Sequence, residues 1–314
     1  MTPAGAARDH GGGLDAALAE HGGARADWLD LSTGINPVPY PVGDLPFDAW
    51  TALPDRAAQE RLIAAARRFW RVPESAAILA APGASALIAK LPTLFPAGAV
   101  RIPGPTYNEH EAAFRAAGWK VTTRPAKAQV AVHPNNPDGR VWQAAEISSA
   151  FSVIDESFCD IRPDASLVAL AARPGVVVLK SFGKFWGLAG LRLGFAIGQP
   201  DTIEALAEAL GPWPVSGPAL AIGARALEDH GWAETSRARL KQDAKRLDAL
   251  LTAKGAAVAG GTDLFRLYEV DDAAAWQARL ARARVWSRVF PWSSTHLRLG
   301  LPAPDRWGQI EAAL

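Results

Sequence analysis

The residues best suited to chemistry lie in Val176-Val177-Val178-Leu179-Lys180-Ser181-Phe182-Gly183-Lys184-Phe185-Trp186-Gly187-Leu188-Ala189-Gly190-Leu191-Arg192. An apolar run leads into a hydroxyl, then a lysine among aromatics and glycines, with an arginine eight residues on. A lysine in an apolar, partly desolvated setting has its pKa lowered, which is what Schiff-base chemistry requires. Glycines let backbone and ligand approach closely. Lys184, beside Phe182, Phe185 and Trp186, fits that role, whereas Lys180 reads as an ordinary solvated lysine.

Three other loops carry unusual residues. Pro82-Gly83-Ala84-Ser85 opens a helical pattern after an apolar run. Free amides at a helix start, with a hydroxyl, suit an anion; an ordinary strand-to-helix turn would look the same. Pro134-Asn135-Asn136-Pro137-Asp138-Gly139 is, as a bare string, a good turn. Asp155-Glu156-Ser157-Phe158 puts a carboxylate at the end of an apolar strand. Such a carboxylate needs a cationic or hydrogen-bonding partner, unless it merely caps a helix.

The elements that must position these loops alternate. Short apolar runs at 76–80, 99–102, 120–123, 130–133, 152–155, 175–179 and 192–197 read as strands. Helical patterns cover 56–71, 84–95 and 107–117. That alternation predicts an α/β domain with a mostly parallel sheet flanked by helices, and in such sheets ligands sit beyond the carboxyl ends of the strands. Before it, the Gly- and Pro-rich opening reads as an extended arm with one short helix at 14–20. After it come a helix at 201–210, a Gly-Pro-Trp-Pro break and a long helix over 216–254, then strands at 256–259, 264–268 and 296–299. The expected organisation is an arm over 1–45 packing with the small domain, a large domain over 46–205, and a connecting helix with a smaller α+β domain over 206–314.

Bulk properties narrow the function. The chain has 314 residues, 49% of them apolar, and a formal net charge of +1. A packed core is affordable, and no whole-protein field draws the chain to nucleic acid or an anionic membrane. The single cysteine, Cys159, excludes an internal disulfide and a cysteine-built zinc site, and reads as a buried small hydrophobe. Neither a signal-peptide core nor a run of the ~18 apolar residues a membrane span needs is present, so a soluble, cytoplasmic protein is expected.

Taken in order, Gly83-Ala84-Ser85, Tyr107, Asn136-Pro137-Asp138-Gly139, Asp155-Glu156, Ser181-x-x-Lys184 and Arg192 resemble the class I/II aminotransferase family of fold-type I pyridoxal-5′-phosphate enzymes. More narrowly, the chain is similar to the threonine-phosphate decarboxylase branch. The strings that carry this are His10-Gly11-Gly12-Gly13, Leu29-Asp30-Leu31-Ser32-Thr33-Gly34-Ile35-Asn36-Pro37, Gly104-Pro105-Thr106-Tyr107, the Lys184 segment and Leu297-Arg298-Leu299-Gly300-Leu301-Pro302.

The resemblance implies roles. Lys184 would hold the cofactor as a Schiff base and move protons at the substrate's α-carbon. Asp155 would pair with the pyridinium nitrogen, Asn136 would donate to the phenolic oxygen, and Tyr107 would stack on the ring. Gly83, Ala84, Ser85, Ser181 and Arg192 would surround the cofactor phosphate. Arg298 would grip the substrate carboxylate, with His10, Asn36 and Arg288 as candidates near the substrate or its phosphate. The implied reaction is loss of CO2 from L-threonine O-3-phosphate, giving (R)-1-amino-2-propanol O-2-phosphate for cobalamin biosynthesis; a histidinol-phosphate type aminotransferase is the alternative. A homodimer is implied as well. A non-catalytic relative would be expected to have lost Lys184 or Asp155, and both are present. Two residues depart from the wider family. Phe158 stands where many relatives have a tyrosine that donates to the phenolic oxygen, and Gly183 where they have Ser or Thr.

Overall fold

The computed structural model describes residues 10–314. These divide into two compact units, Pro39–Ser236 on one hand and, on the other, the described residues up to Val38 with Arg237–Leu314.

The larger unit is built on seven strands: β1 (Ala77–Ala81), β2 (Ala99–Arg101), β3 (Lys120–Thr122), β4 (Ala128–Val132), β5 (Phe151–Asp155), β6 (Val176–Ser181) and β7 (Gly194–Gly198). Their order across the sheet is β1-β7-β6-β5-β4-β2-β3. The ladders among β3, β2, β4, β5 and β6 are parallel, and only β7 runs against its neighbours β6 and β1. A largely parallel sheet was the expectation, and it holds. Strands β4, β5 and β7 are buried at every residue. A strand covered on both faces has no reason to alternate, which is why these segments read as continuous apolar runs. Leu87, Val100, Phe114, Val130, Val153, Val177 and Leu179 form the core on one face.

Helix Arg56–Trp70 shows how the covering layer is specified. Asp55 accepts the Ala58 amide at 2.7 Å and caps the helix start, while Leu62, Ala65, Ala66 and Trp70 make one buried stripe. Helix Gly217–Glu228 lies against it. A β-carbon at Gly223 would come within 2.5 Å of a Leu193 methyl and 3.0 Å of a Leu62 methyl, so any larger residue there would have to push those side chains aside.

Two helix expectations need correcting. The pattern over 84–95 is a helix only at Ala84–Lys90, then a 3-10 turn at Leu91–Leu94, because Pro92 has no amide hydrogen to continue the ladder. The pattern over 216–254 is two helices, Gly217–Glu228 and His230–Thr252. Asp229 breaks it, its carboxylate accepting the Trp232 amide at 2.9 Å.

The smaller unit holds an antiparallel sheet of β8 (Ala257–Thr262), β9 (Phe265–Glu269), β10 (Arg288–Phe290) and β11 (Ser293–Gly300), in the order β10-β11-β9-β8. Leu29–Asp30 pairs in parallel with Val285–Trp286. Leu14, Ala17 and Trp28 pack with Ala281 of helix Ala273–Arg282, a helix that was not anticipated. Among the described residues, no helix is long and apolar enough to cross a membrane.

Candidate active site

Strands β2, β4, β5 and β6 run parallel, so the segments that follow them emerge at one edge of the sheet. There they line a cavity of about 250 Å³ whose walls include Ala84, Ser85, Tyr107, Asn136, Asp155, Ser181, Lys184 and Arg192. Gly83, the residue before Ala84, touches Arg192. Segments scattered over more than a hundred residues of chain thus converge on one space. His10, Asn36, Arg288 and Arg298 belong to the smaller unit.

Asp155 ends β5 with its side chain almost wholly buried. One carboxylate oxygen lies 2.8 Å from His110 Nε2, and the other accepts the Ser157 hydroxyl at 2.6 Å and the Ser157 amide at 3.0 Å. Burial alone would raise this carboxyl's pKa. The hydrogen bond and charge of His110, then the Ser157 bonds, outweigh that and hold it below the usual carboxylate range. An ionised carboxylate only accepts, so the His110 nitrogen facing it carries the hydrogen. Asp155 does not cap a helix; Ser157 lines the cavity beside it, and His110 backs it from helix Asn108–Ala116.

His110 was missed by the sequence reading. A signal for it exists: Tyr107 and His110 are one turn apart at the start of helix Asn108–Ala116, so a cavity-facing Tyr107 brings His110 with it. The two rings meet edge to face at 6.1 Å.

Lys184 is half-buried, with its ammonium 5.3 Å from the centre of the Phe158 ring. Its aromatic neighbours in sequence fix the segment. Phe182, Phe185 and Trp186 are fully buried, and Trp186 stacks on Phe182 at 5.1 Å and on Trp232 at 5.3 Å. Trp186 also donates its indole hydrogen to Asp160 at 2.9 Å. Phe158, 5% exposed, lines the cavity and offers no donor there.

Lys180 is not solvated. β6 runs two residues further than its apolar pattern suggests, placing Lys180 in ladder register with Phe195 and 1% exposed. Its ammonium lies 2.5 Å from Glu156 and 3.5 Å from Asp160, and Asp160 also accepts the Trp70 indole hydrogen at 2.9 Å. Burial opposes the charge on Lys180, but the two carboxylates prevail and raise its pKa. A lysine in a covered strand keeps its charge only when acidic partners share the pocket.

Ser181 ends β6 and accepts the Gly183 amide at 3.2 Å. Arg192 adopts a left-handed backbone, with φ of 52°, and donates to the Ala189 carbonyl at 3.1 Å. Its guanidinium lies so close to Gly83 that a β-carbon there would sit 2.6 Å from it, and Gly83 itself has φ of 84°. A guanidinium, hydroxyls and helix-start amides lining one cavity are donors of the kind that suit an anion.

In the smaller unit, Arg288 and Arg298 are register partners across β10 and β11. Arg298, 5% exposed, donates to the Ser32 carbonyl at 2.6 Å, and Arg288 donates to the His10 carbonyl. Asn36 is buried and accepts from Arg239 at 2.6 Å. Two like charges directly opposite on a sheet repel one another unless an anion or carbonyls offset them.

Cys159 is buried, as expected, and burial first and Glu156 second push its thiol well up. Atoms of Cys159, Glu156 and His133 cluster, but they make no metal site. Both His133 ring nitrogens are engaged, one near the Ala165 carbonyl at 2.7 Å and one accepting the Trp142 amide at 3.1 Å.

The aminotransferase class I and II family model matches residues 125–313. The chain is 39% identical to a threonine-phosphate decarboxylase from Pseudomonas aeruginosa, over 98% of this chain and 97% of that one. It is 40% identical to a threonine-phosphate decarboxylase from a Sinorhizobium species, over 97% and 96%. In fold it is similar to the histidinol-phosphate aminotransferase of Sinorhizobium meliloti solved with pyridoxal-5′-phosphate, with a TM-score of 0.81, 18% identity, and 96% and 93% of the two chains covered. The chain belongs to the aminotransferase class I and II family, in the branch that holds the threonine-phosphate decarboxylases.

Proposed function

We propose that this protein is a pyridoxal-5′-phosphate-dependent lyase that decarboxylates L-threonine O-3-phosphate to (R)-1-amino-2-propanol O-2-phosphate, in the service of cobalamin biosynthesis. The observation that carries the reading is that Lys184, Asp155 and a cradle of Ser85, Ser181 and Arg192 line one cavity. That donor set fits the cofactor: an amine for its aldehyde, an anion for its ring nitrogen, and donors for its phosphate.

When bound, the cofactor supplies an electron sink for the bond broken at the substrate's α-carbon. Lys184 would supply the amine that holds the cofactor's aldehyde, and it is the group placed to hand a proton to the substrate's α-carbon. Asp155, kept anionic by His110 and Ser157, would keep the proton on the ring nitrogen. Asn136 would donate to the phenolic oxygen without the help of a tyrosine, because Phe158 occupies that position, and Tyr107 would pack against the ring. Arg298 would take the substrate carboxylate and Arg288, with His10 and Asn36, the region of its phosphate.

Decarboxylation rather than transamination would follow from how the chain holds the substrate carboxylate, the role proposed for Arg298. The Cα–carboxylate bond breaks, CO2 leaves, and a proton takes its place, with no oxidant needed. End-to-end likeness to two threonine-phosphate decarboxylases supports that choice over transamination.

A homodimer in the cytoplasm completes the proposal. Phe47, Trp50 and Leu53 are 79%, 67% and 67% exposed, a run of large apolar side chains of the kind that a second copy covers. The near-neutral charge supports a small-molecule substrate over a nucleic acid.

The deciding experiment incubates the holoenzyme with threonine phosphate and no keto acid. CO2 release with an amino-propanol phosphate product is the expected result. Nitrogen passing from histidinol phosphate or glutamate to a 2-oxo acid, without CO2, would assign an aminotransferase instead.

A further inference from the structure

We propose that Asn135, which no role has yet been given, is the positioning residue that fixes Tyr107 and Asn136 relative to each other. The inference rests on the cofactor reading above and deepens it.

Asn135 follows β4 and is 6% exposed. Its side-chain oxygen accepts the Thr106 hydroxyl at 2.6 Å. Its amide nitrogen donates to the Pro105 carbonyl at 3.0 Å and to Asp138 at 2.8 Å. Its backbone closes the turn, accepting the Gly139 amide and donating to the Arg140 carbonyl, each at 2.8 Å. The orientation of the side chain is fixed by its partners. Flipping it would set an oxygen against a carbonyl and a carboxylate, and leave the Thr106 hydroxyl facing two hydrogens.

An asparagine that only shapes its own turn would bond within that turn, as it does to Asp138. Two of the three side-chain bonds instead reach residues 29 and 30 positions away, just before Tyr107. Asn136 is the next residue on the other side, and both Tyr107 and Asn136 line the cavity. One buried amide therefore staples the segment presenting the aromatic ring to the segment presenting the amide donor. Without that staple the segment carrying Tyr107 and the segment carrying Asn136 could shift independently of each other.

The test uses holoenzyme carrying Asn135→Ala, Thr106→Val or Thr106→Ser. The visible absorbance of the bound cofactor is titrated with pH, alongside its dissociation constant and the melting temperature. A donor at the phenolic oxygen stabilises the more anionic, deprotonated form, so displacing Asn136 raises the midpoint. The expected result is a raised midpoint and cofactor affinity weakened roughly threefold to tenfold in both Asn135→Ala and Thr106→Val. Thr106→Ser, which keeps the hydroxyl, should titrate like the parent. A lower melting temperature with an unmoved midpoint would reduce Asn135 to a turn residue and overturn the proposal, as would Thr106→Ser shifting as far as Thr106→Val. Should the parent protein show no titrating absorbance that Lys184→Ala abolishes, the cofactor reading fails and this inference falls with it.

Discussion

His110 Nε2 lies 2.8 Å from Asp155 Oδ2, and the two side chains are 1% and 3% exposed. The carboxylate that ends β5 is thereby held anionic in a place where burial alone would favour its neutral form. Because its pKa is depressed, its contribution to stability is present above the ordinary carboxylate range and lost as pH falls.

Replacing His110 with Phe removes one donor from a buried anion. A loss of about 1–3 kcal/mol in urea unfolding is expected, with weaker cofactor binding, and His110→Gln should lose less. Unchanged stability and affinity in His110→Phe would mean that the pair does not support the carboxylate.

Lys180 ties Glu156, next to Asp155, to Asp160, which holds the indole of Trp186 two residues beyond Lys184. Lys180→Met strands two buried carboxylates, so unfolding free energy should fall by about 3–5 kcal/mol. A loss below about 1 kcal/mol would indicate that water reaches the cluster.

His133 is fully buried with one ring nitrogen accepting the Trp142 amide. Burial, the largest influence, lowers its pKa despite the bond near the Ala165 carbonyl. The unfolded chain then takes up a proton that the folded chain refuses. Stability from this residue is complete above about pH 6.5 and declines as pH drops below it, by at most about 1.4 kcal/mol per unit. Denaturant melts from pH 8 to pH 5 should show a steeper loss in the parent than in His133→Gln. Parallel curves would contradict this.

Much of the fold was legible because the covered central strands leave largely apolar runs, and all seven strands of the large sheet fall where strands were expected, even the short, partly exposed Lys120–Thr122. What the sequence concealed was partnership. Lys180 looked solvated because its strand's apolar pattern stops at Leu179, and only the tertiary position of Glu156 and Asp160 makes its burial tolerable. His110 was hidden by lying on a helix whose register depends on which way Tyr107 points. Asn135 read as a turn residue because its partners, Pro105 and Thr106, are distant in sequence. The strand Arg288–Phe290 is too short to show an alternation of its own, and so the pairing of Arg288 with Arg298 was out of reach.

Arg298→Ala should raise the substrate KM by the equivalent of about 2–5 kcal/mol while leaving the cofactor's dissociation constant near the parent value. An unaltered KM would remove Arg298 from substrate binding; a loss of cofactor affinity would assign it to the other subsite.

The central claim is that the Lys184 amine, and no other, carries the cofactor. Borohydride reduction of the yellow protein, proteolysis and mass spectrometry test it directly. The account predicts a phosphopyridoxyl group on the peptide containing Lys184, and none on the Lys184→Ala chain. A label on Lys180, or a colourless protein that takes up no label at all, would contradict it.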